Sequence, residues 1–564
     1  MAQLDVLIRG GTVVDGTGTA PYTADVGVAD GKIVEIGRTE ELGATRVVDA
    51  DGALVVPGFV DVHTHYDGLV TWDARVTPSS WLGVTTVVMG NCGVGFAPCR
   101  PEDHDRIVEL MEGVEDIPGT ALHEGIPWTW ETFPEYLDYL GTRAFDIDIG
   151  AQVPHGAVRL YVMGERGARG EAATPADIAT MAEIVRHAVD AGALGFTTSR
   201  TTNHRTSRGE PTPTLRAAAD ELLGIAEAMA PAGGVFEVVA DFRQLDEEFA
   251  MLRQMVEVSG RPMTISVVAE DHRAPWTALR DRIADAAAAG LPMKGQVGSR
   301  AIGLLLGLQG TLNPFLAAPS YQAVATLPHD ERVRALRQPA LRARLLDELA
   351  DGSRVVFAFD RVFELGDPPD YEPAPQASIA ARAAASGKAP AELALELLLA
   401  GDGTGFLYYP IFNWIDGSLD AIGRMLADQH LLPGLGDGGA HVGTICDASY
   451  PTTLLTHWGR DRSDGLPLEW LVRRQCRDTA AAVGLEDRGV LAPGYRADVL
   501  VVDFEHLALG PPTMAFDLPA GGKRLIQRAD GYLHTFVRGT ETYTDGKPTG
   551  ALPGALIRGP QRLC

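Results

Sequence analysis

LVVPGFVDVHTHYD, residues 54–67, decides the fold. Leu54–Val62 is an apolar run that predicts a strand, and it ends in His63-Thr64-His65. Side chains two apart on a strand share a face, so His63 and His65 project together from its C-terminal end. Two imidazoles in that position can hold one divalent ion, and Zn²⁺ suits nitrogen ligands. In (β/α)8 barrels the active site also lies at the C-terminal ends of the strands.

Two further stretches repeat the pattern of an apolar run ending in a chemically active residue. GVTTVVMGNCGVGFAP (83–98) predicts a second strand that delivers Cys92, whose thiolate is a soft metal ligand. LLPGLGDGGAHVGT (431–444) predicts a late strand that ends at Asp437. A carboxylate there can ligate a metal and can take the proton of an attacking water. Read blandly, Cys92 is an inert core thiol and Asp437 supports a glycine turn.

Between these stretches, strand-like runs at 85–90, 147–154, 193–199, 234–241 and 263–270 alternate with helix-like segments such as 174–192 and 214–230. In the first of these helices Ile178, Met181, Ile184, Val185 and Ala188 recur at helical spacing. Strand-then-helix repetition predicts an α/β chain with a parallel sheet, here a (β/α)8 TIM-like barrel. No GxGxxG opens a βα unit, which weakens the doubly wound alternative. Both ends of the chain are rich in β-branched residues and Asp-Gly turns, which predicts a small β-sandwich domain formed from both termini. The expected division is 1–55 for the N-terminal part of that domain, 56–480 for the barrel and 481–564 for the C-terminal part. A helical insertion is expected at about 325–400.

The chain has 564 residues and a net charge of −27, with 45% hydrophobic and 22% charged residues. That composition is ordinary for a folded soluble protein. The negative charge argues against nucleic-acid and anionic-membrane partners. Five cysteines at irregular spacing, with no leader-like or spanning apolar segment, predict a cytoplasmic protein.

With LIRGGTVVDGTG at the start, PGFVDVHTHYD, GNCG, VPHGAVRLYVMG, GDGGAH and GVLAPGYRADVLVVD near the end, the chain resembles the amidohydrolase superfamily. GNCG points to its N-acyl-D-amino-acid deacylase (D-aminoacylase) branch. The resemblance implies a metal-dependent hydrolase of a C–N amide bond, acting on a small anionic N-acyl amino acid. It assigns His63, His65, Cys92 and Asp437 to the metal and Asp437 to general-base catalysis, and it implies self-association. His155, after the third strand, matches a Gly-His pattern of the family. Arg200 and His204 in a strand-end loop, together with His441, are further candidates for binding substrate.

The branch also carries two histidine ligands, on its fifth and sixth strands. Here the corresponding stretches are GVFEVVADFR and MTISVVAEDHR, which put Val239 and Val267 at those positions. Glu237 shares a face with Val239. Three outcomes stay open: one zinc ion on His63, His65 and Asp437 with Cys92; completion by His155, His204, His272 or His441; or a scaffold whose hydrolytic site is lost. One ion is expected rather than two. The alternative functions are a lyase, isomerase or cyclic-amide reaction on the same scaffold, and a non-catalytic ligand-binding barrel.

Overall fold

The computed structural model describes residues 3–38, 43–270 and 275–563. Eight strands form one sheet: β1 Phe59–Asp61, β2 Val84–Met89, β3 Asp148–Pro154, β4 Gly195–Arg200, β5 Val235–Ala240, β6 Met263–Ser266, β7 Met293–Val297 and β8 Leu431–Pro433. Each strand pairs in parallel with the next in chain order. The two edges of this path meet just beyond β1 and β8. His65 N donates to Gly438 O at 2.7 Å and Asp437 N donates to His63 O at 3.1 Å, around a parallel Thr64–Gly438 bridge. The sheet thus curls round as a TIM-like barrel, and the seam runs between the two segments that carry His63, His65 and Asp437.

The run 54–62 is two strands rather than the single one expected. Leu54–Pro57 pairs with Leu4–Val13 and Val499–Val502, whereas β1 belongs to the barrel. The break falls at Gly58, whose amide donates to Asp498 O at 2.9 Å. A Cβ there would sit 2.1 Å from Thr85 Oγ1, so only glycine lets the chain cross between the sheets at this point.

Strands from both ends of the chain share one nine-stranded sheet, which joins Leu4–Val13 and its neighbours to Val499–Val502, Tyr532–Val537, Thr540–Thr544 and Lys547–Pro548. Alternating residues Val6, Ile8, Val26, Val28, Val499 and Val501 bury one face of it as a separate cluster. The helix Pro175–Asp190 starts at Thr174, whose side chain forms a capping box with Asp177, worth about 1 kcal/mol. It buries Met181, Val185 and Ala188, in keeping with the spacing. Between β7 and β8 the chain passes through helices His329–Leu336, Pro339–Leu349, Ile379–Ser386 and Pro390–Leu398. An antiparallel sheet of Ile302–Gly307, Phe363–Glu364 and Phe406–Phe412 accompanies them. Among the described residues no helix is long and apolar enough to cross a membrane.

Arg488 ties the C-terminal segment to the barrel strands. Its guanidinium is 2% exposed and donates to Asp148 on β3 at 2.9 Å and to Thr86 on β2 at 2.9 Å. Removing one partner of a buried pair leaves the other charge uncompensated. Arg488→Ala is therefore expected to cost about 3 kcal/mol in denaturant unfolding, the low end of the usual range because Arg496 also faces Asp148. A loss below about 1 kcal/mol would contradict that role.

Candidate metal centre

Each site residue is held by backbone that the local sequence permits. Asp437 (φ 45°) and Cys92 (φ 56°) are both left-handed. Asp tolerates that region better than most residues, and neither is β-branched. Gly438 and Gly439 let the strand-eight segment touch strand one. A Cβ on Gly438 would lie 2.7 Å from both Ser79 Oγ and Tyr66 Oη, and one on Gly439 (φ 88°) would lie 2.8 Å from His65 O. The GDGG sequence is thus a condition of closing the barrel at this seam. Around Cys92, its own amide donates to Glu237 Oε2 at 3.0 Å, and Gly93 N donates to Thr197 Oγ1 at 3.1 Å.

The ligand atoms of His63, His65 and Cys92 lie within 4.8 Å of one another. Asp437 Oδ1 stands 3.4 Å from His63 Nε2 and 3.7 Å from His65 Nε2. Both rings are oriented from behind. His63 Nδ1 donates to Gln296 Oε1 at 2.7 Å, and the Gln296 amide is itself fixed by its Nε2 donating to Thr264 at 2.8 Å. That leaves His63 Nε2 as the acceptor facing the Cys92 thiol at 3.3 Å. His65 Nδ1 faces Glu115 Oε1 at 3.2 Å. An imidazole whose far nitrogen meets an amide or carboxylate oxygen is the usual arrangement of a metal ligand.

The electrostatics point the same way. Burial pushes His63 down to about 4 and His65 down to about 3, so both rings are neutral at ordinary pH. Burial also raises the Cys92 thiol well above its usual value, reinforced by Glu237, Glu115 and Asp437. It raises Glu237 to about 8 and Asp61 to about 7, and it lifts Asp437 and Glu115 as well. The charges acting on Cys92, Glu115 and Asp437 come from carboxylates and histidines, not from an arginine or lysine. Glu237 Oε1, Glu115 Oε1 and Asp61 Oδ2 are buried with no hydrogen-bond partner. A dry pocket with surplus acid groups and two neutral imidazoles fits a divalent cation, and the N, S and O donors suit zinc.

Of the remaining candidates, two come to the centre. His204 accepts or donates through Nδ1 to Ser199 Oγ at 2.9 Å and is pushed down to about 3 by burial, with further lowering from His441, His65 and His63. His441, half-buried, has Nε2 3.9 Å from Glu115 Oε2. Two others do not reach it. His155 is 0% exposed, with Nδ1 on Thr198 Oγ1 at 2.8 Å and Nε2 on Glu221 Oε1 at 2.8 Å, so both ring nitrogens are occupied in the core. Arg200 donates to Ala217 O at 2.6 Å, away from the metal residues.

The expected histidine positions also need correction. Val239 shares the inward face of β5 with Glu237. Val267 does not face inward: its Cγ2 lies 2.7 Å from where a Cβ on Gly295 would be, beside Ile283 of helix Trp276–Ala288. The inward residue at the end of β6 is Ser266, which hydrogen-bonds Glu237. His272 lies outside the described residues. Sequence reasoning missed Glu115 and Gln296. Gln296 carried a signal, a lone amide on the inward face of a barrel strand, whereas Glu115 is one acid of many at a helix end.

A cleft opens beside Asp437 and His65, lined by Leu69, Trp72, Ile117, Val442, Leu518 and Leu525 among others.

The amidohydrolase family profile matches residues 46–549, and the chain belongs to that family. A D-aminoacylase of Alcaligenes xylosoxydans xylosoxydans is 27% identical over 563 residues, covering 98% of this chain and 97% of its own. An N-acyl-D-aspartate deacylase of the same organism is 25% identical over 558 residues, covering 99% and 95%. These relatives put the chain on the D-aminoacylase branch. A D-aminoacylase crystal structure matches with a TM-score of 0.64 at 24% identity, over 98% of this chain and all of that one. An N-acyl-D-glutamate deacylase of Bordetella bronchiseptica, complexed with zinc and a phosphonate inhibitor, matches with a TM-score of 0.65 at 23% identity, over 99% of this chain. The chain is accordingly a metal-dependent hydrolase of carbon–nitrogen bonds other than peptide bonds.

In metal-free protein the rings of His63 and His65 are expected to stay neutral from pH 8 down to about pH 5, because their folded values lie below the usual 6.5. Nitrogen-15 NMR of the imidazoles checks this, and a midpoint near 6.5 for either ring would contradict it.

Proposed function

We propose that the chain hydrolyses the amide bond of an N-acyl amino acid, of D configuration as in its relatives, at one zinc ion held by His63, His65, Cys92 and Asp437. The observation that carries this reading is the convergence of three ligand atoms within 4.8 Å, with Asp437 3.4 Å from the nearer imidazole, in a chain of the amidohydrolase family. One ion is favoured over two because Val239 offers no donor and Val267 faces the helices. When bound, the ion supplies a Lewis acid and acidifies water.

The chain's own groups do the rest. Gln296 and Glu115 hold the two imidazoles with Nε2 toward the centre. Asp437 is 13% exposed and borders the cleft, so its carboxylate can meet both water and substrate. Burial raises it, which makes it a stronger base than a solvated aspartate. It takes the proton of the attacking water and returns it to the nitrogen that leaves. His441 and His204, at the mouth, are the groups proposed to bind the polar end of the substrate. Four described cysteines are free and buried, which supports a reducing, cytoplasmic setting. The net charge of −27 supports the exclusion of nucleic acid as a partner.

Asp437→Asn is expected to lower kcat about 10³-fold on N-acetyl amino acids, in a coupled assay of released amine. Chelation of the unmodified protein should abolish turnover, and added zinc should restore it. Activity that survives in metal-free protein would overturn the proposal. Metal uptake should also release the Cys92 proton, since the thiol is protonated at neutral pH. Apparent affinity then rises about tenfold per pH unit for each proton released, read by calorimetry in buffers of different ionisation enthalpy. An affinity independent of pH would remove Cys92 from the ligand set.

A further inference from the structure

The cleft beside Asp437 is completed by a hairpin from far down the chain. Strands Thr513–Leu518 and Gly522–Ile526 pair antiparallel and bring Leu518, Arg524 and Leu525 to its wall. The hairpin is fastened to three segments of the barrel mouth. Leu525 N donates to Val442 O at 2.6 Å, Lys523 Nζ to Gln309 O at 2.8 Å and Gly310 O at 3.0 Å, and Arg524 Nη1 to Thr77 O at 2.9 Å. Its side chains are therefore fixed walls. With Leu69, Trp72, Ile117 and Val442, most of the lining is apolar.

Among the described residues that line the cleft, Arg524 is the only lysine or arginine. It is 5% exposed. An anionic substituent entering the cleft would need it, but its fork is already filled. Arg524 Nε donates to Asp517 Oδ1 at 2.8 Å, Nη2 to Asp517 Oδ2 at 2.8 Å, and Nη2 also to Thr77 Oγ1 at 3.0 Å. The bidentate pair neutralises the one cation present. The other acids on the wall are Asp437 and Asp447, and Asp447 is bound by Arg300 at 3.3 Å and by the Tyr450 hydroxyl at 2.8 Å.

We infer that the Asp517–Arg524 pair is a charge filter that restricts this cleft to an uncharged, apolar part of the substrate. A substituent with its own carboxylate is turned away, because it would be desolvated beside Asp437 with no free cation to meet it. The inference deepens the N-acyl amino acid reading and rests on it. Asp517 acts through Arg524, so it is a positioning residue.

The test is calorimetric titration in an Asp437→Asn background, which keeps the ligands intact. N-hexanoylglycine against N-succinylglycine probes the acyl side, and N-acetylleucine against N-acetylglutamate probes the amine side. The neutral ligand is expected to bind at least tenfold tighter in one pair, and that pair identifies which side of the amide enters the cleft. Adding Asp517→Asn frees the guanidinium and should shift the ratio about tenfold or more toward the acidic ligand, the worth of one charge-assisted hydrogen bond. Asp517→Glu should restore the original preference. An unchanged ratio in a variant with unaltered Tm overturns the filter, as does no binding of any of the four ligands. Hydrolysis by the unmodified protein is scored separately: turnover without discrimination between neutral and acidic ligands leaves the parent reading standing and removes the filter.

Discussion

The structure depends on a short main-chain contact, the pair of hydrogen bonds by which His65 N reaches Gly438 O and Asp437 N reaches His63 O. These bonds join the two edges of an eight-stranded parallel sheet, and they lie within the segments that bear the metal-site side chains. Closing the barrel and assembling the centre are therefore one event. The contact is possible because Gly438 and Gly439 leave no Cβ where Ser79, Tyr66 and the His65 carbonyl already stand. A side chain at either glycine would push the segments apart and separate Asp437 from the histidines.

Around that seam the barrel concentrates groups that burial makes reluctant to ionise. Glu237, Glu115, Asp61, Asp437 and Cys92 are all raised, and His63 and His65 are lowered, each chiefly by loss of water. Stability alone would not favour such a cluster, because buried acids without partners cost free energy. The arrangement is intelligible as a receptacle for positive charge, with the rings already turned by Gln296 and Glu115. Farther out, Arg524 is the one guanidinium on the cleft wall, and it is matched by Asp517.

Much of this was legible in the residues. The HxH after an apolar run, Cys92 at the end of GVTTVVMGN and Asp437 in GDGG were each readable, because barrel strands announce themselves by apolar runs and their last residues carry the chemistry. Periodicity also placed Glu237 on the same face as Val239, and that face is the inward one. Other parts were not legible. The break at Gly58 depends on Thr85 in a neighbouring strand, and the outward turn of Val267 depends on Gly295 and Ile283. His155 looked like a site residue because it ends a strand, yet Glu221, 66 residues away, holds it in the core. Glu115 and the hairpin carrying Arg524 come from distant sequence and are joined to the site only by tertiary packing.

The central claim, a single ion at the seam, is tested most directly by anomalous diffraction from crystals of the zinc-loaded protein. The account predicts one zinc peak per chain at about 2.0–2.3 Å from His63 Nε2, His65 Nε2 and Cys92 Sγ, with an Asp437 oxygen completing the shell. A zinc bound elsewhere, or a second full-occupancy zinc reaching toward Val239 and Ser266, would contradict it.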